Sequence, residues 1–255
     1  MQARDGRLDQ ELSLSRDILA AVGTGIVDQK RLVERFLTAL LAGGHVLVEG
    51  VPDLAMSLLT RTLAQAMGSE FARLHLTPDL LPDDLVGTQM YDRETGIFCV
   101  ARGPLSANLV LAGDIHLAHG DVQEALVGAI QEGRLSMDGR AYTVPDLFLL
   151  VATRDPLRQR GAYRFRAALR DQFMFNLAVD HPRADEEWLI LDRMTGTPLP
   201  PSEPVASPGQ VLAARQSVSR IRVSDRVKDY ALDLILATRE PNRHGMEDLQ
   251  PLIRA

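Results

Sequence analysis

The sequence predicts an α/β fold: a parallel sheet lying between layers of helices, with two β-hairpins inserted into it. Three observations carry this reading. Short apolar runs, "HVLVEG" (45–50), "NLVLAGDI" (108–115) and "LFLLVATRDP" (147–156), read as buried strands. Amphipathic stretches of helical period stand between them, the spacing of a sheet covered on both faces. Two further segments carry hairpin turn signals and no helical period.

Taken in order, residues 8–22 form the first expected helix, with Leu12, Leu14, Ile18 and Leu19 as its apolar positions. A second, "QKRLVERFLTALLAG" (29–43), stops at Gly43-Gly44. The strand 45–50 leads through a short loop into the amphipathic "MSLLTRTLAQAMG" (56–68). "MYDRETGIFCVARGPL" (90–105) reads as a hairpin turning near Thr95-Gly96. The strand 108–115 precedes the helix "GDVQEALVGAIQEGRL" (120–135). "RLSMDGRAYTV" (134–144) carries Asp138-Gly139, a strong two-residue hairpin signal. After the strand 147–156, Trp188 in "DEEWLILDRM" is expected to pack the helix leading out of the core. Residues 195–209, "TGTPLPPSEPVASPG", have linker composition, and a helical pattern resumes after them.

Composition narrows the function classes. The chain has 255 residues, is 45% hydrophobic and carries a formal net charge of −6, which argues against a dedicated nucleic-acid binder. Its single cysteine, Cys99, excludes an internal disulfide, and the six histidines show no metal-site spacing. The charged start "MQARDGRLDQELSLSRD" lacks the apolar core of a secretory signal, and no apolar run is long enough to span a bilayer. The expectation is a cytoplasmic protein without membrane insertion.

The stretches "LLAGGHVLVEGVP", "LTPDLLPDDLVGTQMY" (76–91), "GPLSANLVLA" (103–112), "VQEALVGAIQEGRLSMDG" (122–139) and "LFLLVATRDP" occur in one order. That order, over about residue 20 to 255, resembles the MoxR family of AAA+ ATPases. The resemblance implies an AAA+ P-loop NTPase-like core with N-terminal helices over 1–194, a linker over 195–209 and a partial helical lid over 210–255. It also implies a homo- or hetero-oligomeric ring with AAA+ subunits, chaperone-like remodelling, and von Willebrand A-type domain partners.

The departures from the family fall on nucleotide chemistry. The family's phosphate loop reads G-x-P-G-x-G-K-T. Here it is Gly50, Val51, Pro52, Asp53, Leu54, Ala55, Met56, Ser57. Such loops work because backbone N–H groups at a helix N-terminus point at the phosphates and glycines allow close approach. Ala55 adds a Cβ there. Asp53 can keep the turn, but its carboxylate faces phosphate oxygens, a repulsion of roughly 1 kcal/mol in water and about 4 kcal/mol at an effective dielectric near 20. Met56 removes the cation, and being apolar it can lie down into the core. The family's A-D-E-I-N, the metal and water-activating pair, reads Ala112, Gly113, Asp114, Ile115, His116. Gly113 takes the metal position, and Asp114 is the candidate catalytic carboxylate. His116 is a conceivable substitute acid or base, or a polar strand end. In the family's A-T-Q-N-P, the sensor asparagine is replaced by Asp155, with Thr153, Arg154 and Pro156 around it. Ionised, Asp155 cannot donate a hydrogen bond. The arginine that closes the family's L-D-R-F is Gln172, with Arg164, Arg166 and Arg170 nearby. The family's lid goes on to a G-A-S-P-R segment, whereas the sequence ends at Arg254-Ala255.

The resemblance together with these departures predicts a pseudo-ATPase that acts as scaffold, regulator or passive ring subunit and holds no cofactor. The alternative is an active ATPase using ATP and Mg2+, with Arg61 or Arg154 replacing the lysine. A decayed copy without function is the third reading. On any of them Ile97, Phe98, Met137 and Tyr142 on the hairpins are candidate partner contacts, or simply pair within their own hairpins.

Overall fold

The computed structural model describes residues 2–25, 30–50, 53–87, 89–91, 98–100, 102–137, 140–155, 165–179, 183–195 and 203–248. Five strands form one parallel sheet: β1 (Val46–Glu49), β2 (Phe71–His75), β5 (Leu109–Gly113), β8 (Leu149–Arg154) and β9 (Phe175–Ala178). Their order across the sheet is β2-β5-β8-β1-β9. The hairpins are β3 (Gln89–Tyr91) with β4 (Phe98–Val100), and β6 (Arg134–Met137) with β7 (Arg140–Thr143). Met137 pairs with Arg140, which leaves the two-residue connection expected of Asp138-Gly139. That turn, the turn at Thr95-Gly96 and Ile97 lie outside the described residues, and for Phe98 and Met137 only the strand backbone is described. Tyr142 is half-buried.

Alternation along the strands divides the core into two layers. Val46, Val48, Leu109, Leu111, Leu149 and Val151 face one way. There they meet α1 (Gln2–Gly25) through Ile18 and Val22, α2 (Lys30–Ala42) through Phe36 and Leu40, and α3 (Asp53–Ala66) through Leu59 and Leu63. Leu47, Val110, Ala112, Leu150 and Ala152 face the other way. They are covered by α5 (Gly120–Glu132) through Val122 and Leu126, by Leu85 of α4 (Pro82–Val86) and by Leu169 of α6 (Ala167–Arg170). Each fully buried Leu or Phe contributes about 1.5–3 kcal/mol, so the two layers together oppose the ordering entropy of the chain.

Two expectations change at the C-terminal side. α7 (Ala184–Thr195) presents Trp188 to solvent at 66% exposure. Trp188 therefore does not pack its helix onto the core as the sequence suggested: the adjacent Leu189 and Leu191 are exposed with it, so this apolar run faces solvent. The sequence also put the domain boundary at 209/210. The first compact unit runs from Met1 to Val218, so α8 (Pro208–Val218) belongs with the core. The reason is local: Val211 is fully buried in the first core layer, and Arg215 donates from Nε and Nη2 to the Leu40 carbonyl at 3.0 and 2.7 Å. The second unit, Ser219–Ala255, contains α9 (Asp225–Arg239) and a short 3-10 turn at Pro241–His244. Residues 196–202 of the expected linker lie outside the described residues, as do Arg254 and Ala255.

Candidate functional site

Because the five strands are parallel, their C-terminal ends share one edge of the sheet. The segments following β1, β5 and β8 therefore meet there. β1 sits between β8 and β9, while the chain leaving it goes to β2 at the far edge. Crevices at such a reversal of strand order are where open α/β sheets bind ligands.

The loop after β1 begins at Gly50, whose N–H donates to the Arg154 carbonyl at 3.2 Å. Gly50 has φ +103°, and a Cβ there would stand 2.8 Å from the carbonyl oxygen of Val179. Only glycine meets both constraints without strain. Val51 and Pro52 lie outside the described residues. Asp53 and Leu54 open α3, Ala55 is half-buried against the first core layer, and Ser57 is buried. Met56 is fully buried in the same layer as Val48 and Leu59, and its carbonyl accepts from Thr60 Oγ1 at 2.8 Å. The side chain at the lysine position thus runs into the core.

The turn after β5 is built on Asp114. Its φ of 56° and ψ of 48° make it the one non-glycine residue in the left-handed region among the described residues. Asp adopts this region more readily than most residues, at a cost of order 1 kcal/mol. Its N–H donates to Thr153 Oγ1 at 3.1 Å, which ties the turn to the end of β8, and its carbonyl accepts from Leu117 N–H at 2.8 Å. Thr153 is buried, an anchoring role that sequence reasoning missed. A polar residue at the end of an otherwise apolar strand was the available signal. His116 is buried beneath the turn. Gly113, at the metal position, ends β5 and contributes no side-chain ligand.

Both candidate replacement cations are engaged elsewhere. Arg154 donates from Nη1 to Glu49 Oε1 at 3.1 Å, and its guanidinium lies 5.6 Å from the centroid of the Phe165 ring. Arg61 stacks over Phe71 at 5.5 Å, against the strand β2. Asp155 follows β8 and is half-buried, and Pro156 lies outside the described residues.

The segment matching the trans-acting arginine lies around α6. Gln172 donates from Nε2 to the Ala168 carbonyl at 2.9 Å and accepts from Gln131 Nε2 at 2.9 Å, so its amide bridges α6 and α5 at the surface. Arg166 pairs with Glu124 at 3.2 Å. Arg170 is exposed beside an open groove of about 530 Å³ that Asp171, Phe173 and Asn176 also line. Arg164 lies outside the described residues.

Residues 45–175 match the ATPase family associated with various cellular activities (AAA). The chain is 39% identical over 225 residues to the chaperone MoxR1 of Mycobacterium tuberculosis, covering 88% of this chain and 59% of that one. The chain belongs to the MoxR branch of the AAA+ ATPases. The YeaC protein of Bacillus subtilis is 35% identical over 80% of this chain and 64% of its own length. A solved structure of a Cytophaga hutchinsonii protein superposes with a TM-score of 0.90 at 31% identity, over 97% of this chain and 75% of that one. The chain thus spans about three fifths of the two sequence relatives named here. Among the described residues, this MoxR-family domain has no helix long and apolar enough to cross a membrane.

Proposed function

We propose that this MoxR-family AAA+ domain is a pseudo-ATPase, working as a scaffold or as a passive or regulatory subunit in an AAA+ ring. The observation that carries the reading is the burial of Met56. A phosphate loop needs a cation at this position that reaches toward the β- and γ-phosphates. Here that side chain is apolar and lies inside the core. ATP with Mg2+ fits the remaining residues poorly, since Gly113 offers no carboxylate to a metal and Arg154 is committed to Glu49. The frame is nevertheless retained: Gly50 keeps its left-handed backbone and Asp114 is fixed by Thr153. A retained frame without its reactive groups is what a subunit valued for its surfaces would show. The relative in Mycobacterium tuberculosis is a chaperone by name, so the partners we propose are AAA+ subunits of a ring and, through the family resemblance, a von Willebrand A-type domain protein.

The test is titration of the native chain with a fluorescent ATP analogue and Mg2+, beside the triple variant Asp53→Gly, Ala55→Gly, Met56→Lys. The expected result is no binding by the native chain up to millimolar nucleotide and saturable binding by the variant. Tight binding by the native chain would overturn the reading in favour of an active ATPase with substituted residues. Arg154→Gln would then show whether that arginine replaces the lysine.

A further inference from the structure

Two side-chain links leave the strand ends described above and arrive at adjacent residues. The first starts at Glu49, the last residue of β1, whose register partner is Arg154, the last residue of β8. Their ion pair, at 3.1 Å, holds the Arg154 guanidinium over the ring of Phe165. The second starts at the turn after β5. Gln123 of α5 is fully buried; its Nε2 donates to the Ala118 carbonyl at 2.9 Å, and its Oε1 accepts from the Arg166 N–H at 2.9 Å. Phe165 and Arg166 are consecutive, and Arg166 is the N-cap of α6. The Arg166 carbonyl accepts from the N–H groups of Leu169 and Arg170 at 3.2 and 3.1 Å, so α6 starts from the residue that the second link locates, next to the one that the first reaches. α6 is in turn one wall of the groove lined by Arg170, Phe173 and Asn176.

We propose that Phe165-Arg166 is a coupling node, through which the loops after β1 and β5 set the position of α6 and hence the shape of that groove. The physical basis is the chemistry of each link. A half-buried ion pair that also stacks on a ring is directional at both ends, so a shift of Glu49 moves Phe165. The Gln123 amide uses its donor on one segment and its acceptor on the other. With no exposure to water, it cannot exchange either bond for solvent without cost. The bonds that join the segments span 43 and 105 residues of sequence, and each segment moves only if its link breaks or the other follows. The coupling does not depend on whether nucleotide binds.

Amide hydrogen exchange on the whole chain tests it. Glu49→Gln weakens the first link at a residue that does not touch α6. It should speed exchange at Leu169, Arg170 and Asp171 by about tenfold, the scale of one lost local bond, with the β5 and β8 amides unchanged. In an Arg154→Gln background the same substitution should have no further effect on α6. Gln123→Glu keeps the acceptor for the Arg166 N–H and, once ionised, turns an acceptor onto the Ala118 carbonyl; burial raises a carboxyl's pKa, so at alkaline pH it should loosen residues 114–118 while Arg166 stays protected. Acidification that protonates the new carboxyl should restore the donor and reverse the effect. Equal effects of Glu49→Gln with and without Arg154, or α6 exchange unchanged in the single variants, would overturn the proposal. Should Gln123→Glu fail to fold, the Glu49 and Arg154 variants still decide, because both side chains reach solvent.

Discussion

His45 shows how much one buried polar residue can determine. It precedes β1, it is 5% exposed, and its Nδ1 accepts the N–H of Leu150 at 3.0 Å, supplying an acceptor at the start of β8. Its ring also meets Phe148 edge to face at 5.6 Å. Burial, with the nearby Arg215 guanidinium adding to it, lowers its pKa from 6.5 to about 4. The folded protein therefore holds His45 neutral where the unfolded chain would protonate it. Above pH 6.5 the residue is neutral in both states and contributes no pH dependence. As pH falls from 6.5 toward 4 the unfolded chain gains a proton that the folded one refuses. Stability should then fall by up to about 3 kcal/mol over that window. Urea midpoints measured from pH 7.5 to 4 check this. The native curve should decline more steeply than that of His45→Asn, which keeps an acceptor for Leu150 and has no proton to gain. Parallel curves would mean that His45 protonates in place.

At the scale of elements, α8 is held to the core by buried Val211 and by one cation. Arg215 bonds the Leu40 carbonyl twice and the Asp146 carbonyl once, at 3.2 Å. The Leu40 carbonyl belongs to the last turn of α2, where carbonyls lack helical partners and a positive charge is favoured. Arg215→Ala should lower stability by about 2–3 kcal/mol, since it strips charge-assisted bonds from partly buried carbonyls. It should also raise the pH at which His45 titrates, because one of the two causes of its depression is gone. Chemical denaturation and the His45 ring proton shift read these separately. None of this was legible in the sequence, where Arg215 lies 175 residues from Leu40 in a stretch that reads only as helix. Periodicity did place α2, β1, α3, β5, α5 and β8, because each is either an apolar run or an amphipathic stripe, and turn residues placed both hairpins. β2 and β9 escaped notice. They are the edge strands, their burial alternates or is partial, and "FARLH" and "FNLA" show no continuous apolar run. At the site, the identities in 50–57 were readable as a departure from the family loop. The Glu49–Arg154 pair was not, because it exists only through the parallel register of β1 and β8.

At the scale of the whole molecule, the two compact units differ in how their apolar residues are used. In the first, both faces of the sheet are covered and the largest side chains are fully buried. In the second, α9 has no buried residue, and Val227, Tyr230, Leu232, Leu234 and Ile235 are each 47–64% exposed. Val227, Tyr230 and Leu234 recur at i, i+3 and i+7, the stripe of a helix that packs against something. An uncovered helix of this length is marginal in water, since most helical stability comes from packing of the apolar face. Amide exchange in α9 should therefore be fast at low protein concentration, within about tenfold of an unstructured chain, while the central β5 and β8 amides exchange only through global unfolding. The measurement separates the alternatives cleanly. Slow exchange in α9 that persists on dilution would mean that the chain itself covers the stripe in solution. Protection that grows with concentration would mean that a second copy does so, which would bring the exposed stripe into the ring assembly proposed for this domain.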